Sequence, residues 1–378
     1  MRRLFLFFAC ILFAGCTSTK FPRETLQKKE KISALIETMT VREKIGQMIA
    51  VVPENFDFTL TQEQIDQGRI PSSVTVSEKM KENFIRYPAG TIILFGKNLD
   101  TPEQTEKLMD DFKSLSKIPL MVSVDEEGGR VARIAKNETF EVENLPPALE
   151  TQTEKKAFEN SFYIGSYLSK YGFTADFAPV ADIWTNEENT VIGNRAFSKE
   201  PKTAAKMVKA SIKGFHKAKM LTSIKHFPGH GDTTADSHTG SAVSLKTWEE
   251  LQACEMIPFK AGIEAGSDMV MIAHIRTPNA KTEDLPATLS KTWITDRLRG
   301  ELGFNGVVIT DAMGMKAVSN YFESTESALM AIKAGCDIIL MPHDYAKTFD
   351  YLVSCVENGT IPMERINESI ERILKMKL

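Results

Sequence analysis

Eight short apolar runs recur along the chain, and each ends in polar or charged residues. Near-continuous apolar runs of this length are typical of parallel strands that are covered on both faces. The pattern therefore predicts eight strands, at residues 47–52, 90–95, 120–124, 175–180, 221–225, 269–274, 306–310 and 337–341.

Amphipathic stretches with helical periodicity separate most of these runs. They lie at residues 102–116, 155–170, 201–218, 247–265, 289–302 and 324–334. An alternation of eight strands with helices favours a (β/α)8 TIM-type barrel over a doubly wound sheet. We therefore predict an α/β fold, with a single barrel domain over residues 32–378.

Chemically active side chains cluster where the predicted strands end. An acidic and glycine-rich run, 125–130, follows the third strand, and Asp182 follows the fourth. His274 ends the sixth strand and Asp311 follows the seventh. In a barrel all these positions lie at the carboxyl ends of the strands, where such folds build active sites. The clustering indicates an enzyme.

The richest stretch is the loop predicted at residues 225–240, after the fifth strand. It holds three of the six histidines, and its proline and glycines exclude a regular helix. Within it, Asp236 precedes His238 by two residues, so the carboxylate could orient the imidazole as a proton shuttle. The alternative is a hydrogen bond that only stiffens the loop.

Asp311 closes the apolar strand 306–310 and is the candidate nucleophile. A carboxylate at a strand end is held rigidly and is partly desolvated, as a nucleophile should be. A helix cap or a buried ion pair would explain the same residue without chemistry.

A metal site is a second interpretation of the same loop. His226, His230 and Asp232 offer nitrogen and oxygen ligands, together with Asp236 and His238. However, Pro228-Gly229 prevents the first two histidines from lying on one helical face, and no cysteine joins them. We therefore expect no metal. A phosphate-binding loop is disfavoured as well, because no Gly-Lys-Ser/Thr follows.

The amino terminus has the pattern of an export signal. Two arginines precede an apolar run that is too short for a permanent membrane anchor, and Ala14-Gly15-Cys16 resembles a bacterial lipobox. We expect residues 1–15 to be a signal peptide, Cys16 to carry a lipid and residues 16–31 to form a tether. An uncleaved single-pass anchor is the alternative.

Charge and cysteine content exclude several other classes. The net charge is −4, and removing two arginines and no acids with the signal takes it to −6. That balance argues against a nucleic-acid partner, which needs a concentrated basic face. Cys254, Cys336 and Cys355 form no close pair, so buried free thiols are expected rather than disulfides.

Taken together, these motifs resemble glycoside hydrolase family 3, and within it the bacterial β-N-acetylhexosaminidases. The family signature K-H-F-P-G-H-G-x4-D-S-H is matched at every fixed position by residues 225–238. Shorter matches include residues 39–47, 125–133, 177–180, 191–197, 286–290 and 334–337. The resemblance covers about residues 32–378. Glu126 stands where a glutamine is more usual.

The resemblance implies a role for each matched residue. Asp311 would be the nucleophile that forms a glycosyl-enzyme intermediate, and His238, oriented by Asp236, would be the general acid and then the base. This departs from the two-carboxylate pattern of most retaining glycosidases. Sugar-binding roles fall on five further residues, namely Asp125, Arg133, Arg195, Lys225 and His226. A capping role for the aspartate and surface ion pairs for the arginines are the alternatives.

The expected activity is that of a retaining exo-β-N-acetylglucosaminidase acting on cell-wall or chitin-derived saccharides. A phosphorylase or a β-glucosidase of the same fold is the alternative within this class. A non-catalytic carbohydrate-binding lipoprotein and a metal-dependent hydrolase are the alternatives from other classes. We expect no cofactor, a monomer, and contact with a membrane only through the lipid, facing the periplasm or the cell exterior.

Overall fold

The computed structural model describes residues 23–66, 68–233 and 242–378, and eight parallel strands form its centre. In chain order these are β1 (Ile49–Val51), β2 (Thr91–Ile93), β3 (Met121–Val124), β4 (Ala175–Asp176), β5 (Leu221–Phe227), β7 (Met269–Ile272), β9 (Val307–Thr310) and β10 (Ile339–Leu340). A separate two-stranded sheet pairs β6 (Ala242–Val243) with β8 (Ile275–Arg276).

The eight strands close into a barrel. Their order is β10-β1-β2-β3-β4-β5-β7-β9, and a parallel bridge between Ile309 and Ile338 joins the two ends. Backbone hydrogen bonds support this closure, because the amides of Asp337 and Ile338 both donate to the carbonyl of Val308, at 2.7 and 3.0 Å. The predicted single-domain (β/α)8 barrel is therefore confirmed.

Helices surround the barrel. They are α1 (Arg23–Thr38), α2 (Val41–Gln47), α3 (Gln62–Asp66), α4 (Pro71–Val74), α5 (Glu78–Arg86), α6 (Pro102–Lys113), α7 (Glu154–Lys170), α8 (Pro201–Lys217), α9 (Trp248–Ala253), α10 (Met256–Glu264), α11 (Lys316–Ser319), α12 (Ser324–Ala334), α13 (Tyr345–Glu357) and α14 (Met363–Lys377). A π-type helix spans Thr292–Glu301.

Local sequence explains where several helices begin. Pro102 and Pro201 occupy the first turns of α6 and α8, where a missing amide hydrogen costs nothing. The side chains of Thr101 and Glu200 accept from the free amides of those turns. The helices predicted from residues 102 and 201 therefore start where expected.

Two sequence-based boundaries differ from the structure. The predicted helix 247–265 is two helices, because the backbone at Cys254 leaves the helical region (φ −130°, ψ −83°). The predicted loop 225–240 begins later than expected, since Lys225 and His226 belong to β5. In addition, α1 overlaps the segment 16–31 that we expected to be a tether.

The barrel core is apolar and almost fully buried. Residues of β1, β2, β3, β7 and β9 are all buried, as the near-continuous apolar runs predict. Cys336 and Cys355 are buried free thiols, and Cys254 is a partly buried one. Within the described ranges, no helix combines the length and apolar character needed to span a bilayer.

Candidate active site

The carboxyl ends of the strands surround a cavity of about 330 Å³ at the barrel mouth. Of the sequence-predicted site residues, the structure places six around this cavity. They are Asp125, Arg133, Arg195, Lys225, His226 and Asp311. Residues that lie far apart in the sequence are thus brought to one site by the parallel strands.

Asp311 sits directly after β9, on the wall of this cavity. Its amide donates to the carbonyl of Ile272 (2.9 Å), and its carboxylate oxygen Oδ1 accepts from the amide of Ala312 (2.8 Å). The backbone and one carboxylate oxygen are therefore fixed by the barrel. A catalytic nucleophile needs to be held rigidly in this way and to be partly buried.

His274 fixes the residue next to Asp311. Its Nε2 lies 2.9 Å from the carbonyl oxygen of Ala312, and its Nδ1 lies 2.7 Å from Oγ1 of Thr288. The imidazole therefore donates from Nε2 to that carbonyl. The strand-end histidine noted in the sequence thus supports the backbone at the candidate nucleophile.

Lys225 is a buried cation between two carboxylates. Its Nζ lies 2.6 Å from Oδ1 of Asp125 and 2.6 Å from Oε1 of Glu127. Burial lowers the pKa of Lys225, but the charges of Asp125 and Glu127 outweigh it and raise the pKa overall. The lysine stays charged, and it holds Asp125 at the cavity edge.

Arg195 forms a bidentate pair with Glu127. Nε and Nη2 donate to the two carboxylate oxygens at 2.8 and 2.7 Å, and Nη1 donates to the carbonyl of Val191 at 3.1 Å. Burial acts to raise the pKa of Glu127, but the charges of Arg195 and Lys225 hold it below its usual range. Glu127 is therefore an anion that organises both cations.

Asp182 contacts both His226 and His230 and holds them in place. Its Oδ2 lies 2.6 Å from Nδ1 of His226, and its Oδ1 accepts from the amide of His230 at 2.6 Å. Because Nδ1 donates to this carboxylate, Nε2 of His226 can accept from Nη2 of Arg195, which lies 3.3 Å away. Burial lowers the pKa of His230, so its neutral form is favoured.

Glu127 and Asp182 belong to the site, although the sequence pattern only placed them after strands and gave neither of them a role. Glu127 stands in the acidic run after β3, and Asp182 stands at the end of the stretch after β4. Their position after strands was the available signal. Their roles depend on which cations face them, which the sequence alone does not give.

Arg133 lies where the site opens into a larger cavity of about 950 Å³. Its guanidinium carbon is 5.7 Å from the ring centre of Phe95, and its buried Nε has no hydrogen-bond partner within the described ranges. The backbone amides of Arg133 and Ile134 donate to Oε2 of Glu126, at 2.5 and 3.0 Å. The loop is thus fixed while the guanidinium stays available for a ligand.

Asp236 and His238 lie outside the described residues, as does Cys16. The structure therefore leaves their predicted roles as predictions. Over the part of the chain that is described, no group of three or more histidine, cysteine, aspartate or glutamate side chains is arranged to hold a metal ion.

The fold and the site define the class of this protein, a (β/α)8 barrel with a cavity lined by acidic and basic side chains at the carboxyl ends of its strands. Residues 40–376 match the glycosyl hydrolase family 3 N-terminal domain. The chain belongs to this family.

Named relatives agree with this assignment. The chain is 33% identical to beta-hexosaminidase A of Pseudoalteromonas piscicida, over 80% of its own length and 55% of that protein. It is 36% identical to a beta-hexosaminidase of Stenotrophomonas maltophilia, over 67% of its length and 76% of that protein. The chain thus spans only about half of the first of these relatives.

A solved structure is also similar. The family 3 β-N-acetylglucosaminidase from Paenibacillus sp. is 34% identical and superimposes with a TM-score of 0.80. The match covers 90% of this chain and 62% of that chain.

Proposed function

We propose that this protein is a retaining exo-β-N-acetylglucosaminidase that removes terminal N-acetylhexosamine from cell-wall or chitin-derived saccharides. The observation that carries the proposal is the position of Asp311 on a cavity wall that also holds Asp125, Lys225, His226 and Arg195. A strand-end carboxylate thus faces a set of hydroxyl- and amide-binding groups. The names of the relatives support an N-acetylated sugar as the substrate.

The cavity supports an exo-acting enzyme. Its volume of about 330 Å³ is at the lower end of the range for small-ligand sites, which is roughly 300–1,000 Å³. One terminal sugar suits this space, and the larger cavity that adjoins it at Arg133 gives room for the rest of the saccharide. Asp125 would accept from sugar hydroxyls, whereas Lys225, Arg195 and Arg133 would donate to hydroxyl or acetamido oxygens.

The proposed reaction has two displacements. Asp311 attacks the anomeric carbon, while His238 donates a proton to the departing glycosidic oxygen, and a glycosyl ester forms. His238, now neutral, removes a proton from water, which attacks the same carbon and releases Asp311. Neither form of the imidazole adds negative charge beside Asp311, and Asp236 would stabilise the protonated form that donates in the first step.

Replacement of Asp311 tests this function. We expect Asp311→Asn to fold normally and to lower turnover of an aryl N-acetyl-β-glucosaminide on the order of 10³-fold or more, because the amide is a poor nucleophile. Turnover is measured by release of the phenol, with Asp110→Asn on the exposed face of α6 as the matched control. Full turnover in Asp311→Asn would exclude the mechanism.

A separate product analysis distinguishes a hydrolase from the alternative functions. Muropeptides and chitooligosaccharides are incubated with and without phosphate, and the products are identified by mass. Free N-acetylhexosamine supports the hydrolase, whereas sugar 1-phosphate would identify a phosphorylase. Saccharide binding without any product would indicate a carbohydrate-binding protein, and loss of turnover with EDTA would indicate a metal-dependent hydrolase.

We further propose that the protein acts outside the cytoplasm, held to a membrane by a lipid on Cys16. The apolar run before Ala14-Gly15-Cys16 supports this location.

A further inference from the structure

The two described arms on either side of residues 234–241 are tied together by polar contacts. The first arm, residues 228–233, follows β5, and the returning arm is residues 242–247. On the first arm, Oδ2 of Asp232 accepts from Oγ of Ser244 on the returning arm at 2.9 Å. Its other oxygen, Oδ1, lies 3.2 Å from Nζ of Lys246 and accepts from Oγ1 of Thr185 at 3.3 Å. Both carboxylate oxygens of Asp232 are therefore used.

Glu255 extends this set of contacts into the protein. Its carboxylate forms a close ion pair with Nζ of Lys246, and its side chain is only 1% exposed. Its Cγ is so near Gly229 that a β-carbon added there would approach it to 2.5 Å. Lys246 thus links Asp232 to the buried Glu255. Glu255 in turn packs against Gly229, near the start of the arm that carries Asp232.

The arms are also fixed to the barrel independently of one another. On the first arm, the amide of Asn186 donates to the carbonyl of Gly231 at 3.1 Å. On the returning arm, β6 pairs with β8, and the amide of Ser244 donates to the carbonyl of Arg276 at 3.0 Å. The contacts of Asp232 therefore bridge two segments that are each anchored elsewhere as well.

We infer that Asp232, Ser244 and Lys246 form a clasp that positions the general acid of the reaction. The clasp joins the described residues on the two sides of the segment that carries Asp236 and His238. None of the three clasp residues lines the 330 Å³ cavity. They are positioning residues, and the inference rests on the proposed function.

Lys246 supplies the positive charge of the clasp. Lys246 is a single cation between the carboxylates of Asp232 and Glu255. Burial lowers the pKa of Lys246, but the hydrogen bond and charge of Glu255 raise it overall, so the cation is maintained. Loss of this cation would leave the buried carboxylate of Glu255 without its partner and would remove the link between Asp232 and Lys246.

A pair of substrates with different leaving groups tests the inference. Departure of a phenolate from the phenyl glycoside needs a proton, whereas the 2,4-dinitrophenolate leaves without one. We expect Asp232→Asn and Lys246→Met to lower kcat/KM for phenyl N-acetyl-β-glucosaminide by roughly 10- to 100-fold. For the dinitrophenyl substrate the loss should stay below about threefold.

A second part of the experiment uses the background variant His238→Ala. If the clasp acts through His238, then Asp232→Asn in that background causes no further loss on the phenyl substrate. The matched control is Lys260→Met, a change of an exposed lysine on α10 that should leave both substrates unaffected. Thermal unfolding shows that each variant is folded, and Ser244→Ala provides a milder change should Asp232→Asn fail to fold.

Two results would overturn the inference. One is an equal loss on both substrates in the clasp variants, and the other is a further loss in the His238→Ala background. A different result would count against the proposed function itself. If His238→Ala lowers kcat/KM equally for both substrates, then His238 is not the general acid, and the role of the clasp falls with it.

Discussion

Buried carboxylates near the site differ in the direction of their pKa shifts. Burial acts to raise the pKa of Glu127, Asp182 and Asp176 alike. For Glu127 the neighbouring cations outweigh burial, and for Asp182 its contacts with His226 do so, so both pKa values fall. Asp176 accepts from a backbone amide, and burial dominates, so its pKa is raised. Partners, rather than depth, decide which of these acids is charged.

Glu126 shows how a buried acid acts on a neighbouring loop. Besides the two amides described above, it accepts at Oε1 from the amide of Ala135 (3.0 Å) and from the hydroxyl of Tyr167 (2.8 Å). Four donors thus converge on one carboxylate that is 0% exposed. The backbone on both sides of Arg133 therefore depends on this side chain.

We expect Glu126→Ala to lower the free energy of unfolding by about 3 kcal/mol, because buried amides lose their acceptors. It should also raise KM about tenfold, since displacement of Arg133 weakens substrate binding. Glu126→Gln is the matched control, because it keeps one oxygen for the amides of Arg133 and Ile134. Denaturant unfolding and initial rates provide the two measurements.

The background variant Arg133→Ala separates binding from stability in that experiment. There, Glu126→Ala should still lower stability but should not raise KM further. A further rise in KM would show that Glu126 acts on the substrate by another route.

At the scale of elements, the sequence predicted which segments form strands better than it predicted where they end. The predicted strand 175–180 shortens to Ala175–Asp176, and Pro179 has no amide hydrogen for a ladder. The predicted strand 221–225 instead continues to Phe227. Pairing partners set these ends, and apolar content along the chain does not reveal them.

For the helices, too, the sequence predicted which segments are helical better than it predicted their detailed form. The predicted helix 324–334 is found over the same residues, as α12. The stretch 289–302 is helical but has π-type bonding, in which the amide of Leu302 donates to Arg297. The break at Cys254 precedes Glu255, which is buried against Gly229 and Lys246. Periodicity identifies a helical face but does not show such tertiary contacts.

An ion pair between two elements should make stability depend on pH. Nε2 of His216, on α8, lies 2.9 Å from Oδ2 of Asp268, which precedes β7. The hydrogen bond that His216 donates to Asp268 raises the pKa of His216 above its usual 6.5. Because the folded pKa is the higher one, the pair stabilises the protein below pH 6.5, and the contribution is lost as pH rises through the folded pKa.

We therefore expect His216→Gln to lower the melting temperature by about 1 °C at mildly acidic pH, and by less as pH rises past the folded pKa. The expected change is small because the side chain is 35% exposed. Lys209→Gln on the same helix is the control, since lysine does not titrate in this range. A difference that grows with pH would contradict the assignment.

At the scale of the whole molecule, the barrel and its mouth could be predicted from sequence. Eight apolar runs separated by helices favour parallel strands. Parallel strands in a barrel bring their carboxyl ends together. That logic located Asp125 and Asp311 at one site. It could not predict the Asp182 and Glu127 contacts or the β6–β8 pair, because these depend on contacts between loops far apart in sequence.

The proposed lipid anchor makes a prediction for the intact protein. We expect the full-length chain, expressed in a bacterium, to partition into the detergent phase and to incorporate labelled fatty acid, because acyl chains bury many methylene groups. Cys16→Ser should lose both properties. A Cys16→Ser protein that still enters the detergent phase would indicate an uncleaved anchor instead.

The packing of α1 gives that anchor a direction. Nζ of Lys28 donates to the carbonyl of Lys375 on α14, at 3.1 Å. Two residues later, Nζ of Lys377 donates to Oε1 of Gln47 at 2.9 Å and to the carbonyl of Gly90. Both acceptors precede strands, so α1 meets α14 at the end of the barrel opposite Asp311. The described chain that follows the proposed anchor thus packs against the amino-terminal end of the barrel, and the cavity that holds Asp311 faces away from that contact.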